Sequence, residues 1–257
     1  MQDLNIALVQ SEQYWEDKAR NWDHYCKMLE KIEGNVDLIV LPEMFDTGFS
    51  MNTSLAEEWN ENSSLRFLKE LSSKSQSAVY TSFMCKDGSH YFNRGVFVRP
   101  DGTVDIYDKR KTFGLAGEDQ VYTAGNEAKI IEFKCWKIQL QICYDLRFPE
   151  ICRNYIDTSG EPAYDLLLYV ANWPERRSLH WKTLLQARAI ENQCYVVGVN
   201  RVGTDGKDLI YSGDSVCVNS LGDSDFCNPY EETIKKVILS AGSLKQVRTS
   251  LPFLKDR

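Results

Sequence analysis

The sequence predicts an α/β fold, a layered domain built on mixed sheet. Three observations carry that expectation. Runs rich in Ile, Leu and Val alternate with helical periodicities along all 257 residues. Hairpin signals stand among helical crossovers, so the pairing should be parallel in places and antiparallel in others. No linker, repeat or low-complexity stretch divides the chain, and its length suits one large core, so residues 1–257 are read as a single domain.

The elements follow in order. Residues 5–10 and 37–42 read as buried strands, and between them Trp22, Cys26, Leu29 and Ile32 recur at helical spacing, which makes a β-α-β start. A second helix is expected over 63–73, with Leu65, Leu68 and Leu71 on one face, and a strand over 78–84. Strands over 91–99 and 103–107 are joined by Pro100-Asp101-Gly102, a tight-turn signal. Residues 111–126 are irregular, and loops of that length are commonly functional. A strand pair over 129–133 and 136–142 precedes a short helix over 149–155. Then come a strand over 165–170, a helix over 179–192, strands over 195–200, 214–219 and 233–239, and a final short helix and tail over 243–257.

Composition excludes several classes of function. Thirty Lys and Arg stand against 37 Asp and Glu, a net charge of −7, and no basic run exceeds Lys109-Arg110-Lys111. That is the wrong surface for sequence-independent nucleic-acid binding. No apolar stretch approaches the roughly 18–20 residues of a membrane span. The opening MQDLNIALVQ reads as a strand rather than a signal peptide, so a cytoplasmic protein is expected. Eight cysteines are present with no CxxC pair, and the three histidines are not spaced as zinc ligands. Most of the thiols should be reduced, buried and structural.

Three residues stand out against that background. Glu43 closes DLIVLPEMF, Lys109 closes VDIYDKRKTF and Cys143 closes WKIQLQICYDLRFPE. Open α/β sheets place their sites at the carboxyl ends of strands. In the last run Trp136, Ile138, Leu140 and Ile142 alternate with polar residues, and continued alternation puts Cys143 on the face opposite the apolar set. A carboxylate directly after a buried strand is costly unless paired. A carboxylate, an amine and a thiol are the groups a thiol hydrolase of amides needs. Each also has an ordinary reading, as a loop acid, a solvated lysine or a small core residue. A Cys/His pair drawn from His24, His90 or His180 is the competing arrangement.

At this point the chain resembles the nitrilase superfamily of carbon–nitrogen hydrolases, and within it the bacterial omega-amidase type. The residues that carry the resemblance are LIVLPEMFDTGFS around Glu43, YDKRKTF (107–113), GEDQVYTAGN (117–126), ICYDLRFPE (142–150), YVANWPERRSLHW (169–181), ARAIENQCYVVGVNRVG (187–203) and YSGDS (211–215). They run in the family order and span nearly the whole chain. The resemblance implies a four-layer α-β-β-α sandwich and a Glu-Lys-Cys triad carried by Glu43, Lys109 and Cys143, with Glu118 matching a second glutamate. The chain departs from the usual pattern at Lys111, where the family has His, at Thr112, where Leu is common, and at Gln141, in place of an apolar or small residue.

The resemblance also implies an activity. Glu43 would take the thiol proton, Cys143 would attack the amide carbon, Lys109 and a backbone N–H near Tyr144 would hold the oxyanion, and water would resolve the thioester. No metal and no organic cofactor is expected. The implied substrates are terminal amides of small α-keto dicarboxylates such as α-ketoglutaramate. Their carboxylate calls for a basic partner, for which Lys111, Arg147, Arg176, Arg177 and Arg201 are the candidates, though Arg147 could instead be tied to Asp145. Phe45, Phe113, Tyr144 and Trp173 are the candidate pocket walls. Another small amide or a nitrile is the alternative substrate, and a non-catalytic binding protein the alternative class. A homodimer is expected from the family, with contacts guessed at 195–199 and 251–257.

Overall fold

The structure, a computed structural model, describes residues 1–256. It contains two large sheets. The first is built from β1 (Leu4–Gln10), β2 (Leu38–Val40), the short β3 (Glu57–Glu58), β4 (Ala78–Asp87), β5 (His90–Val98), β6 (Val104–Asp108) and, from the far end of the chain, β15 (Thr233–Leu239). Its order is β15-β1-β2-β4-β5-β6, with β3 beside β4. The pairs β1–β2 and β2–β4 are parallel, and β4–β5, β5–β6 and β1–β15 are antiparallel. The second sheet uses β7 (Ile130–Phe133), β8 (Trp136–Ile142), β9 (Leu166–Ala171), β10 (Tyr195–Asn200), β13 (Val216–Val218) and β14 (Ser224–Phe226), in the order β14-β13-β10-β9-β8-β7. A separate hairpin joins β11 (Val202–Thr204) to β12 (Ile210–Ser212).

Alternation along the strands explains how the sheets stack. Leu4, Ile6 and Leu8 of β1, Leu38 and Val40 of β2 and Tyr80 of β4 share one buried cluster with Ile138, Leu140 and Ile142 of β8. The Tyr80 hydroxyl crosses the interface to donate to the Gln141 carbonyl at 3.0 Å. The residues between them, Ala7, Val9, Ile39 and Val79, face the other way and pack under Tyr25 and Met28 of α1 (Lys18–Leu29) and Leu68 of α2 (Ser63–Ser75). On the far side Gly198 of β10 lies so close under Leu185 and Trp181 that an added Cβ would come within 2.6 and 2.8 Å of them. Those two residues belong to α4 (Ser178–Asn192). The layers are therefore helix, sheet, sheet, helix, an α-β-β-α sandwich.

Local chemistry starts the helices where expected. Asp17 caps α1 by accepting from the Arg20 N–H at 3.1 Å, and Asn62 caps α2 through the Leu65 N–H at 3.0 Å. The buried stripe of α1 is Asn21, Tyr25 and Met28, one position off the expected face; Trp22, Leu29 and Ile32 pack at its margin and Cys26 is exposed. Six of the eight cysteines are buried, and all eight are free. The helix expected over 149–155 is instead a single 3-10 turn, Pro149–Ile151; another, Cys143–Arg147, precedes it, and Phe148 between them leaves the helical region, as a residue before proline prefers. The strand expected over 214–219 shortens to β13, because Asp214 adopts a positive φ of 58°. The expected contact at 195–199 falls on β10, a buried central strand; in the tail, Leu251 and Phe253 are exposed.

Candidate active site

The strands deliver three side chains to one place. β6 runs in the same direction as β2 and β4, because β5 reverses once and β6 reverses again. Glu43 lies three residues beyond β2, Lys109 directly follows β6, and Cys143 directly follows β8 on the facing sheet. Two of these turns share a device. Met44 has a φ of 44° and Cys143 a φ of 45°. A non-glycine residue held there costs about 1–2 kcal/mol. At Cys143 this kink ends the strand alternation. The thiol turns toward Glu43 on the opposite sheet, instead of continuing the row of Gln139 and Gln141, which are themselves buried.

Lys109 is the hub. Its ammonium donates to Glu43 Oε1 at 2.9 Å and to Glu118 Oε1 and Oε2 at 2.9 and 2.8 Å. All three residues are 1% exposed or less. Asn93 of β5 supports both acids, donating from Nδ2 to Glu43 Oε1 at 2.8 Å and to Glu118 Oε1 at 3.1 Å. The Asn172 backbone N–H donates to Glu43 Oε2 at 2.8 Å, and its side-chain amide donates to the Glu43 carbonyl. The thiol of Cys143 points at the Asn172 carbonyl over a long 3.9 Å. Glu118 opens a one-turn helix, α3 (Glu118–Val121), and accepts the Phe113 N–H at 2.5 Å, which ties the loop to the site. Gly125 donates to the Lys109 carbonyl at 2.9 Å across a contact so close that an added Cβ would lie 2.2 Å from the Asp108 oxygen.

Charge sets the protonation. Burial alone would lower the Lys109 pKa, but Glu118 and Glu43 raise it more, so the amine stays an ammonium. Burial pushes the Cys143 thiol well above the ordinary thiol range, the Glu43 charge pushes it further, and Lys109 offsets only part of this. The resting sulfur is therefore a thiol rather than a free thiolate.

Cys143 opens onto a cavity of about 410 Å³. Phe113, Tyr144, Arg147 and Trp173 line it, together with Phe49, Arg176 and Arg177. Phe113 and Tyr144 pack with centroids 4.9 Å apart. Arg147 lies 4.8 Å over the Trp173 ring and against His180 Nδ1 at 3.2 Å. It is not tied to Asp145, whose carboxylate is engaged elsewhere. Arg177 lies 5.3 Å over Phe113; burial lowers its pKa, and the like charges of Arg176 and Arg147 lower it further. Among the described residues, none of these three arginines forms an ion pair with a carboxylate.

Three candidates lie elsewhere. Phe45 is fully buried among Tyr25, Phe67 and Phe83, beneath α1 and α2. Lys111 points over Phe148 toward Glu150 and reaches no cavity wall. Arg201 is buried, and its Nε and Nη2 donate to the Val202, Gln13 and Thr204 carbonyls. His24 pairs with Glu232 and His90 sits beside Ser89, so neither attends Cys143. Asn93 and Asn172 are not singled out by the sequence reading, although Asn172 lies inside the 169–181 motif. Among the described residues there is no cluster of three or more His, Cys, Asp or Glu that could hold a metal ion, and no helix is long and apolar enough to cross a membrane.

This combination of sandwich and buried Glu-Lys-Cys cluster defines a class of enzyme that breaks carbon–nitrogen bonds. The family model for carbon-nitrogen hydrolases matches residues 5–247, and the chain belongs to that family. It is 41% identical to omega-amidase YafV of Yersinia enterocolitica over 257 residues, covering 100% of this chain and 97% of that protein. It is 35% identical to the 2-oxoglutaramate amidase of Paenarthrobacter nicotinovorans, covering 87% of this chain and 79% of that protein. The crystal structure of XC1258 from Xanthomonas campestris, a CN-hydrolase superfamily protein with an arsenic adduct in its active site, superposes with a TM-score of 0.97 at 40% identity, covering 100% of this chain and 98% of that one.

Proposed function

We propose that this protein hydrolyses the terminal amide of a small α-keto dicarboxylic acid monoamide, of the α-ketoglutaramate type, through a thioester on Cys143. One observation carries the reading: a thiol beside a buried carboxylate opens onto a cavity whose three arginines have no carboxylate of their own. A substrate with an amide at one end and a carboxylate at the other suits both features. The names borne by the relatives, omega-amidase and 2-oxoglutaramate amidase, point to the same chemistry.

The steps follow from the arrangement. Glu43 takes the thiol proton as the sulfur attacks the amide carbon, so no thiolate need persist beside two carboxylates. The oxyanion is held by the Lys109 ammonium and by the Tyr144 N–H, which lies in the first turn of the 3-10 segment where N–H groups lack intrahelical partners. Collapse expels ammonia, which takes its proton from Glu43. Water then gives a proton to Glu43 and its oxygen to the thioester carbon. The carboxylic acid leaves, and the sulfur recovers its proton. Glu118 holds Lys109 in place throughout.

A panel of α-ketoglutaramate, α-ketosuccinamate, glutamine, asparagine and simple nitriles, scored by ammonia release, tests the substrate class. The keto amides should be turned over best; glutamine outperforming them would overturn the omega-amidase reading while keeping the family. Arg177→Ala should raise KM for the keto amides on the order of 10- to 100-fold, the worth of one charge-assisted hydrogen bond, and leave uncharged amides nearly unaffected. We also infer a cytoplasmic homodimer from the family resemblance, with cell fractionation and light scattering as its tests.

A further inference from the structure

Asp145 stands two residues beyond Cys143 and is fully buried, yet it touches no substrate surface. Its carboxylate accepts three hydrogen bonds. Oδ2 takes the Ile142 N–H at 2.9 Å and the Tyr107 hydroxyl at 2.8 Å, and Oδ1 takes the Lys111 N–H at 2.9 Å. Ile142 directly precedes Cys143. Tyr107 and Lys111 stand two residues before and two residues after Lys109. One side chain thus brackets both the nucleophile on the second sheet and the ammonium on the first. We propose that Asp145 is a positioning residue that fixes Cys143 and Lys109 relative to each other across the two sheets, and that it does so only as a carboxylate.

The proposal rests on the catalytic reading of Cys143 and Lys109 given above. Its physical ground is the strained backbone at Cys143. A residue at a φ of 45° stays there only when its surroundings over-determine it. The Asp145 bond to the Ile142 N–H spans that residue and closes the turn, and among the described residues the carboxylate has only its three donors. A misplacement on the order of 1 Å in such a site can cost about 10²-fold in rate.

Donor counting favours the ionised form, which alone accepts from all three groups. A protonated carboxyl carries a donor on one oxygen. Two of the three groups facing Asp145 are backbone N–H donors, which cannot reverse; only the Tyr107 hydroxyl can turn to accept. Burial raises the Asp145 pKa to about 6, while the Ile142 N–H, the Tyr107 hydroxyl, the Lys109 charge and the Lys111 N–H each hold it down. The other titratable groups facing it are Tyr80 of β4 and Cys152 beyond the second 3-10 turn, both raised by burial first, with Arg110 acting on Tyr107. The active form is the deprotonated one, so activity falls as the pH drops through about 6.

Two variants test this, assayed by ammonia release from α-ketoglutaramate across the acid and neutral range and by alkylation of Cys143 with iodoacetamide. Asp145→Asn presents an amide N–H to one of the donors. It should lower kcat by about 10²-fold, with KM within a few-fold of the starting value. Tyr107→Phe removes a bond that holds the Asp145 pKa down. It also removes one of the two tethers to the Lys109 segment while the Lys111 N–H tether stays, so it should lower the neutral kcat by less than Asp145→Asn does and move the acid limb to higher pH, the result that decides if Asp145→Asn does not fold. An unchanged kcat in Asp145→Asn, or an unmoved acid limb in Tyr107→Phe, overturns the proposal. If the chosen amide proves not to be a substrate, the alkylation rate reads the same limb. Full activity in Cys143→Ala would instead overturn the catalytic reading itself.

Discussion

Cys143→Ala is expected to end ammonia release, with a loss on the order of 10⁵- to 10⁶-fold, the scale seen when a covalent nucleophile is removed. Among the described residues its thiol is the only one lining the cavity; Cys85, Cys152, Cys194, Cys217 and Cys227 are buried away from it. On the proposed mechanism, loss of the sulfur leaves Glu43 no proton to take for the first step and Lys109 no tetrahedral oxyanion to meet. The fold should survive. Cys143 is 9% exposed and opens onto the cavity, so truncation leaves no sealed void. Alanine carries the same strain at a φ of 45° as cysteine does. It also removes a group whose ionised form Glu43 opposes. Thermal melting should therefore match the starting protein while the ammonia assay reads background. Activity retained in a well-folded Cys143→Ala protein would sink the assignment of the nucleophile.

Much of this site is visible in the sequence because each group of the proposed triad marks the end of a strand, and hydrophobic alternation reveals strand ends. Glu43, Lys109 and Cys143 are legible on that ground as strand-end residues; their meeting is not, because it depends on two sheets stacking. The same limit explains Asn93 and Asn172. Nothing local distinguishes an asparagine that donates to two carboxylates from one at a strand end. Directions fail where the backbone leaves ordinary φ. Continued alternation sends the Cys143 thiol to the wrong face because a φ of 45° breaks the period. Phe45 looks like a wall beside Glu43, but the positive φ at Met44 turns the chain, and the Phe45 N–H bonds to the Ser82 carbonyl at 3.0 Å, which drives the ring under α2. Lys111 fails differently. Its backbone serves the site through Asp145 while its side chain leaves toward Glu150. The arginines at 147, 176 and 177 are readable as basic residues in motifs. That they lack carboxylate partners is a property of the fold alone.

Lys109→Ala is expected to damage both activity and stability, because it removes the proposed oxyanion donor and a structural charge together. Losing one preorganised oxyanion donor costs about 10²–10³-fold in rate, and here the loss should be at least that, since Glu43 is also freed from a 2.9 Å restraint. Stability falls as well. Glu43 and Glu118 are both fully buried and both bound to this ammonium. Removing one partner of a buried ionic cluster costs about 3–5 kcal/mol, because the remaining charges are left uncompensated. The Asn93 amide still bridges the two acids, but a neutral donor cannot offset two negative charges. The pH dependence has a definite sign. The Lys109 pKa is raised in the fold, so its contribution is fully present below the ordinary lysine pKa and fades only as the pH rises above it. The part of the stability gap that comes from the Lys109 charge should then hold across neutral pH and fade only in strong alkali. Denaturant titration of the variant and its parent, set beside the ammonia assay, separates the two effects. A variant as stable as its parent would mean that the acids have found another counter-charge, and the hub role of Lys109 would have to be abandoned even if activity were lost.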